Sequence, residues 1–258
     1  MKKYAALLIA CCAVLAMAAG CIAYLNSAFS WSGELVGAIR AGNTETALKL
    51  IDQGVDKGFS MDTYEYPVTV ITKFAEMSPG TPLQVACSMG NYEVAERLLQ
   101  EGASATGYKG LERLGRTPVF EVILGPYAPA DLPLLQLLHA YGASFAADEY
   151  DGAPIVAAVK RSSFHVHDSF PPMSSEEITQ GIAEIFVYLS QYTDCHALDG
   201  GRRSALHNAA WYSNWYLCEI LVRDYGFSID AKDSFGKIPY DYAIESGAPE
   251  YILALLQP

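Results

Sequence analysis

A short pattern of residues recurs six times along this chain, and such a recurrence dictates a stack of like units rather than one closed core. Its clearest copy is Thr81-Pro82-Leu83-Gln84-Val85-Ala86, then Gly90-Asn91, then Val94-Ala95-Glu96-Arg97-Leu98-Leu99, then Gly102-Ala103. Pro82 at a helix start costs no hydrogen bond, because an N–H at that position has no intrahelical acceptor. Small Ala86 and Cys87 let neighbouring helices approach closely, and Gly102 suits a left-handed cap at the end of a second helix. Each copy therefore predicts two short helices joined by a tight turn.

The same frame recurs from Gly33-Glu34-Leu35 through Gly54, and from Thr117-Pro118-Val119 through Gly142-Ala143. It returns at Asp151-Gly152-Ala153-Pro154-Ile155, at Ser204-Ala205-Leu206-His207-Asn208-Ala209-Ala210, and at Asp233-Ser234-Phe235-Gly236-Lys237-Ile238-Pro239. Starts at 81, 117, 153, 204 and 238 are spaced by 36, 36, 51 and 34 residues. The chain thus resembles the ankyrin-repeat family, whose T-P-L-H-x-A motif opens the first helix and whose period is about 33 residues.

That resemblance implies an all-α solenoid of about six repeats over residues 26–258, the first and last atypical. Each helix pair would bury its apolar face only against its neighbours, leaving a concave surface and a row of hairpin tips. Residues 55–80, 104–116, Pro126–Pro133 and Arg161–Met173 lengthen individual connections. The second helix of the fourth repeat is well marked: Ser174-Ser175-Glu176-Glu177 is a capping box, and Ile178, Ile182, Ile185, Phe186 and Leu189 form one apolar stripe that belongs to the core.

The N-terminus carries a targeting signal. Met1-Lys2-Lys3 precedes an uncharged apolar stretch from Tyr4 to Leu25, the order of a secretory leader. Three outcomes fit residues 1–25. Ala16-Met17-Ala18 suits a signal peptidase. Ala18-Ala19-Gly20-Cys21 resembles a bacterial lipobox with Cys21 as the lipidated residue, although Ala18 stands where Leu or Val is usual. The uncleaved stretch would also be long enough to span a bilayer. Retention on a membrane in the bacterial envelope, with a periplasmic domain, is the expectation.

Composition restricts the partners. The formal net charge is −12, and such a surface repels phosphate backbones, which argues against nucleic acid. A basic protein would be steered toward it. Of six cysteines, Cys11, Cys12 and Cys21 lie in the leader. Cys87 and Cys218 read as buried apolar residues, and Cys195–Cys218 could form a disulfide in an oxidising compartment. His165-Val166-His167-Asp168 is the one candidate metal cluster, which would make the chain a metal-dependent enzyme. No P-loop, nucleophile elbow, H-E-x-x-H or dinucleotide fingerprint accompanies it, so neither catalysis nor a cofactor is expected.

In proteins similar to this one, partners are held by hairpin tips and by exposed positions of the first helix. On that map Trp211, Tyr212 and Trp215 mark a candidate protein-binding surface, because large exposed aromatics are enriched at interface hot spots. A row of tip residues, Glu149, Tyr150 and Asp151, then Asp194, Asp199, Asp230, Asp233 and Phe235, forms a second candidate with an acidic edge. Asp-Gly at 151–152 and 199–200 fits turn chemistry equally well. The expected role is non-catalytic protein binding. An immunity or inhibitor protein against a secreted effector such as a lipase is one form, since some ankyrin-like envelope proteins are similar to the antitoxins of such enzymes. A structural scaffold docking a periplasmic enzyme or secretion component is another.

Overall fold

The computed structural model describes residues 23–63, 80–107, 117–125, 129, 131–147, 152–161 and 174–258. Twelve helices fall within them. They are α1 (residues 23–40), α2 (Thr44–Asp56), α3 (Pro82–Ser88), α4 (Tyr92–Gln100), α5 (Pro118–Leu124) and α6 (Asp131–Ala140). They continue with α7 (Pro154–Lys160), α8 (Ser175–Leu189), α9 (Ala205–Trp211), α10 (Trp215–Arg223), α11 (Pro239–Glu245) and α12 (Glu250–Leu256). Six helix pairs follow one another, as the repeat frame predicts.

Local chemistry explains why each pair looks alike. The inner helices α3, α5 and α9 begin at Thr81, Thr117 and Ser204, whose hydroxyls accept the amides of Gln84, Phe120 and His207. The outer helices α2, α4 and α10 begin at Asn43, Asn91 and Asn214, whose side chains accept the amides of Thr46, Val94 and Leu217. Such caps satisfy amide donors that a helix start would leave open. The same asparagines tie repeats together: Asn91 Nδ2 donates to Thr44 Oγ1 at 3.0 Å, and Asn214 Nδ2 to the Thr179 carbonyl at 3.1 Å.

Packing runs in two parallel rows. Inner helices α3, α5, α7, α9 and α11 touch in succession, and outer helices α2, α4, α6, α8, α10 and α12 do the same. One apolar core threads both rows, with Leu83, Leu98, Ile123, Leu138, Phe186, Leu206, Leu221 and Ile252 fully or almost fully buried. Alanines 86, 95, 183, 209 and 210 are fully buried where helices meet, the close approach that small residues permit. This is an all-α repeat solenoid.

Two boundaries differ from the sequence expectation. The first repeat starts well before Gly33, because α1 is long and buries Trp31, Leu35, Val36 and Ile39. Trp31 Nε1 donates to the Leu50 carbonyl at 2.6 Å, and its ring leaves no room for a Cβ at Gly54. Tyr24, within the apolar N-terminal stretch, stacks edge-on to Phe59 at 5.4 Å and donates to the Gly58 carbonyl at 2.7 Å. In the third repeat, Pro133 belongs to the first turn of α6 rather than to the preceding connection, a position where its missing N–H costs little.

One ion pair fastens the third repeat to the fourth from inside. Arg161, just past α7, reaches Asp131 Oδ2 at 2.7 Å with both side chains under 5% exposed, 4% and 2% respectively. Its second nitrogen donates to the Gly125 carbonyl at 2.6 Å. Among the described residues no helix is long and apolar enough to cross a membrane, and no group of three His, Cys, Asp or Glu side chains is placed to hold a metal. Cys21 and the His165–Asp168 cluster lie outside the described residues. Cys87, Cys195 and Cys218 are free thiols, with Cys87 and Cys218 buried and Cys195 partly so.

Candidate protein-binding face

The loops that lead into α9 and α11 are copies of one another. Asp199 Oδ1 accepts the amides of Gly201 (2.8 Å) and Arg203 (2.9 Å). Thirty-four positions on, Asp233 Oδ1 accepts those of Phe235 (2.8 Å) and Lys237 (3.0 Å). Each aspartate's own amide closes its loop onto the carbonyl of Arg203 or Lys237. The two loops are then joined, since the Ser234 amide and hydroxyl both donate to the Gly201 carbonyl, at 2.9 and 2.8 Å.

Of the two readings open for these tips, this geometry matches turn chemistry at Asp199, and it gives Asp233 the same role in place of an acidic edge offered to a partner. Both carboxylates turn inward. The second oxygen of Asp199 takes Arg203 Nε at 2.9 Å and Lys160 Nζ at 3.0 Å, and that of Asp233 takes the Tyr242 hydroxyl. Burial pushes the Asp199 carboxyl up, but the Arg203 amide, the Lys160 ammonium and the Gly201 amide outweigh it and hold the group at about 2. Asp233 is likewise held below the usual carboxylate range, its burial outweighed by the Tyr242 hydroxyl and the Phe235 and Lys237 amides. Two amides two and four residues ahead are the natural acceptor target of a short carboxylate in a turn. Asp194 and Asp230 are exposed, and Asp194 accepts the His196 amide.

Above these loops stands an aromatic and cationic stack. The Arg203 guanidinium lies 4.6 Å from the Trp211 ring centroid. The Trp211 indole is nearly parallel to Tyr242, 13° apart with centroids at 4.9 Å, and to Tyr212 at 6.1 Å. Lys237 Nζ lies 5.0 Å from the Tyr242 ring and pairs with Glu245 at 2.6 Å. Cations gain from facing ring π-clouds, and stacked rings gain beyond the area they bury. Trp211 nonetheless stays 43% exposed. The stack packs the indole against Tyr242 and Arg203 while leaving part of it in water.

The site residues expected from sequence separate into groups. Trp211 and Tyr212 join the stack, and Phe235 stands at the sixth-repeat tip, 76% exposed. Trp215, at the first position of α10, is half-buried and lines a separate cleft of about 540 Å³ with Tyr216, Tyr251, Glu176 and Glu219. Glu149, Tyr150 and Asp151 lie outside the described residues.

Several members were not anticipated. Arg203 carries no motif, and Tyr242 reads from sequence as an ordinary position of the last repeat. A second feature, a cleft of about 360 Å³, opens beside the stack among Leu124, Val156, Ala157, Lys160 and Leu198. His207, at the histidine position of the T-P-L-H-x-A motif, has a structural role. Its Nδ1 lies 2.8 Å from the Ser204 hydroxyl, and its Nε2 lies 3.2 Å from the Lys237 carbonyl, bridging the fifth and sixth repeats. Burial pushes its pKa below the ordinary value, against the Lys237 and Ala231 carbonyls that favour the charged ring.

Two family models match the chain. One, described as an ankyrin repeat, covers residues 80–106; the other, described as ankyrin repeats in many copies, covers residues 190–243. The first contains α3 and α4, and the second contains the two linked loops and the stack. No curated protein matches the chain.

Proposed function

The chain belongs to the ankyrin-repeat family, a family of protein–protein interaction modules, and from that premise we propose that it is a non-catalytic inhibitor of another protein in the bacterial envelope. The partner in this reading is a secreted effector, such as a lipase, against which the chain confers immunity. The observation that carries a binding role is the half-exposed Trp211 indole, fixed between Arg203 and Tyr242 on the inner-helix face. The envelope setting rests on the leader-like order of Met1–Leu25, with Cys21 as the residue a lipid would occupy. Stacked repeats suit obstruction of an active-site cleft, because they present an extended surface without needing to reorganise.

The test is genetic and then biochemical. The product of the neighbouring gene is expressed with an export signal, alone and together with this chain. The proposal requires that the chain relieve its toxicity and co-purify with it. A deletion defect that appears with no effector present, together with absence of protection, would replace inhibition by a structural scaffold that docks an envelope enzyme or secretion component.

A further inference from the structure

Ten glycines of the chain adopt positive φ among the described residues, and only two other residues do, Arg202 at 57° and Ser213 at 58°. The loop copies above show what Arg202 replaces. Its counterpart in the sixth repeat is Gly236, at φ 75°. A side chain in the left-handed region carries a steric cost that glycine avoids. The Arg202 amide closes the loop onto the Asp199 carbonyl at 2.9 Å, as a glycine's would, but its exposed side chain makes no hydrogen bond or ion pair among the described residues. A local choice that works against stability, with no compensating contact, points to a role outside the chain.

Its surroundings indicate what kind of role. Gly201, the preceding residue, takes the two Ser234 hydrogen bonds, so Arg202 stands beside the tip that carries Phe235. Leu198, 51% exposed, flanks it in its own loop. The carboxylates of the two joined loops, Asp199 and Asp233, are turned inward and committed to amides, to Arg203 and Lys160, and to Tyr242. Arg202, Leu198 and Phe235 are therefore all exposed on two loops that the Ser234–Gly201 hydrogen bonds join, on a protein whose formal charge is −12.

We infer that Arg202 is a partner contact, taking a carboxylate from an acidic, apolar-bearing segment of a bound protein while Leu198 and Phe235 cover that segment's apolar side chains. This rests on the binding role proposed above and names the chemistry of the partner's contacting segment. It reverses the expectation from net charge, under which the partner would be basic. Guanidinium and carboxylate can meet in a planar two-bond arrangement, which gives such a contact its specificity.

The test uses the full chain and two acetylated, amidated peptides, Asp-Leu-Glu-Phe-Asp and Lys-Leu-Lys-Phe-Lys, with inorganic phosphate as a third probe. Binding is followed by the shift of the Arg202 amide and of the Trp211 indole N–H. The acidic peptide should give a saturable shift, and the basic peptide and phosphate should not. Arg202→Gly should raise the melting temperature and weaken the acidic peptide by about fivefold or more. Ser213→Gly relieves the same backbone strain elsewhere, so it should stabilise equally and leave the peptide affinity unchanged. Equal binding of the basic peptide, equal shifts with phosphate, or an Arg202→Gly chain that binds undiminished would each overturn the inference. An effector that is neutralised as well by Arg202→Gly as by the unaltered chain would overturn it while leaving the inhibitor reading in place. Absence of any protected effector would remove that reading without touching the peptide result.

Discussion

The Trp211 indole and the Tyr242 ring lie face to face across the boundary between the fifth and sixth repeats, 13° from parallel at 4.9 Å. The contact serves both fold and surface. It couples two inner helices, while the Trp211 residue stays 43% exposed. The Ser246 hydroxyl reinforces the junction by donating to the Trp211 carbonyl at 2.8 Å. Trp211→Ala is expected to lower stability by about 1 kcal/mol, the scale of a lost aromatic pair, without unfolding the chain. Thermal denaturation checks this, and a loss of several kcal/mol would mean that the indole is a core residue rather than a contact residue.

The Asp131–Arg161 pair should behave very differently. Removing Arg161 leaves the Asp131 carboxylate buried without its guanidinium, and breaking such pairs costs about 3–5 kcal/mol. Arg161→Ala is therefore expected to shift the urea midpoint strongly, and replacing both residues with apolar ones of similar volume should recover much of the loss. A double variant as unstable as the single one would show that the two side chains do not act as a pair.

Acid titration should show two separable transitions. His207 has a depressed pKa in the fold, so its neutral ring favours the folded state. That stability is complete above the unfolded value of about 6.5 and is lost as pH falls through the lower folded value. Asp199 is depressed to about 2, so its contribution is complete above roughly 3.9 and is lost only as pH falls toward that lower value. Gln84 fills the place of His207 in the second repeat, accepting the Thr81 amide at 2.6 Å. His207→Gln should thus preserve the cap and flatten the decline in melting temperature between neutral pH and mild acid. An unchanged decline would assign that step to another group.

Much of the fold was legible in sequence because each repeat carries its own local instructions. Thr81, Thr117 and Ser204 announce inner helices, Asn91 and Asn214 announce outer ones, and the spacing of Leu98 or Phe186 announces the buried side. The start of the first repeat was less legible, because α1 has no proline or glycine at its head and its apolar residues merge with the N-terminal stretch. The surface was harder still. Asp199 and Asp233 look acidic in a sequence, and only their position relative to the amides two and four residues ahead reveals that the charge is spent internally. Arg202 could have been found by aligning the fifth repeat on the sixth, where it stands opposite Gly236. That its side chain makes no hydrogen bond or ion pair among the described residues is a three-dimensional fact.

Thiol chemistry offers a simple check on packing. Burial pushes the Cys87 and Cys218 thiols far up, and Cys195 is raised less. Among these three, only Cys195 should react with a maleimide in the native chain, with Cys87 and Cys218 following on denaturation. Rapid native labelling of Cys218 would contradict the close packing of α10 against its neighbours.

The most direct measurement for the account as a whole is the affinity of the protected effector for three forms of the chain, by calorimetric titration at a temperature where all are folded. Trp211→Ala should bind at least about thirtyfold more weakly, equivalent to 2 kcal/mol or more. Leu98→Ala, fully buried in the second repeat, should lose about 2–5 kcal/mol of stability yet bind as the unaltered chain does. If Trp211→Ala retains full affinity, the inner-helix face of the fifth and sixth repeats is not where this protein meets its partner.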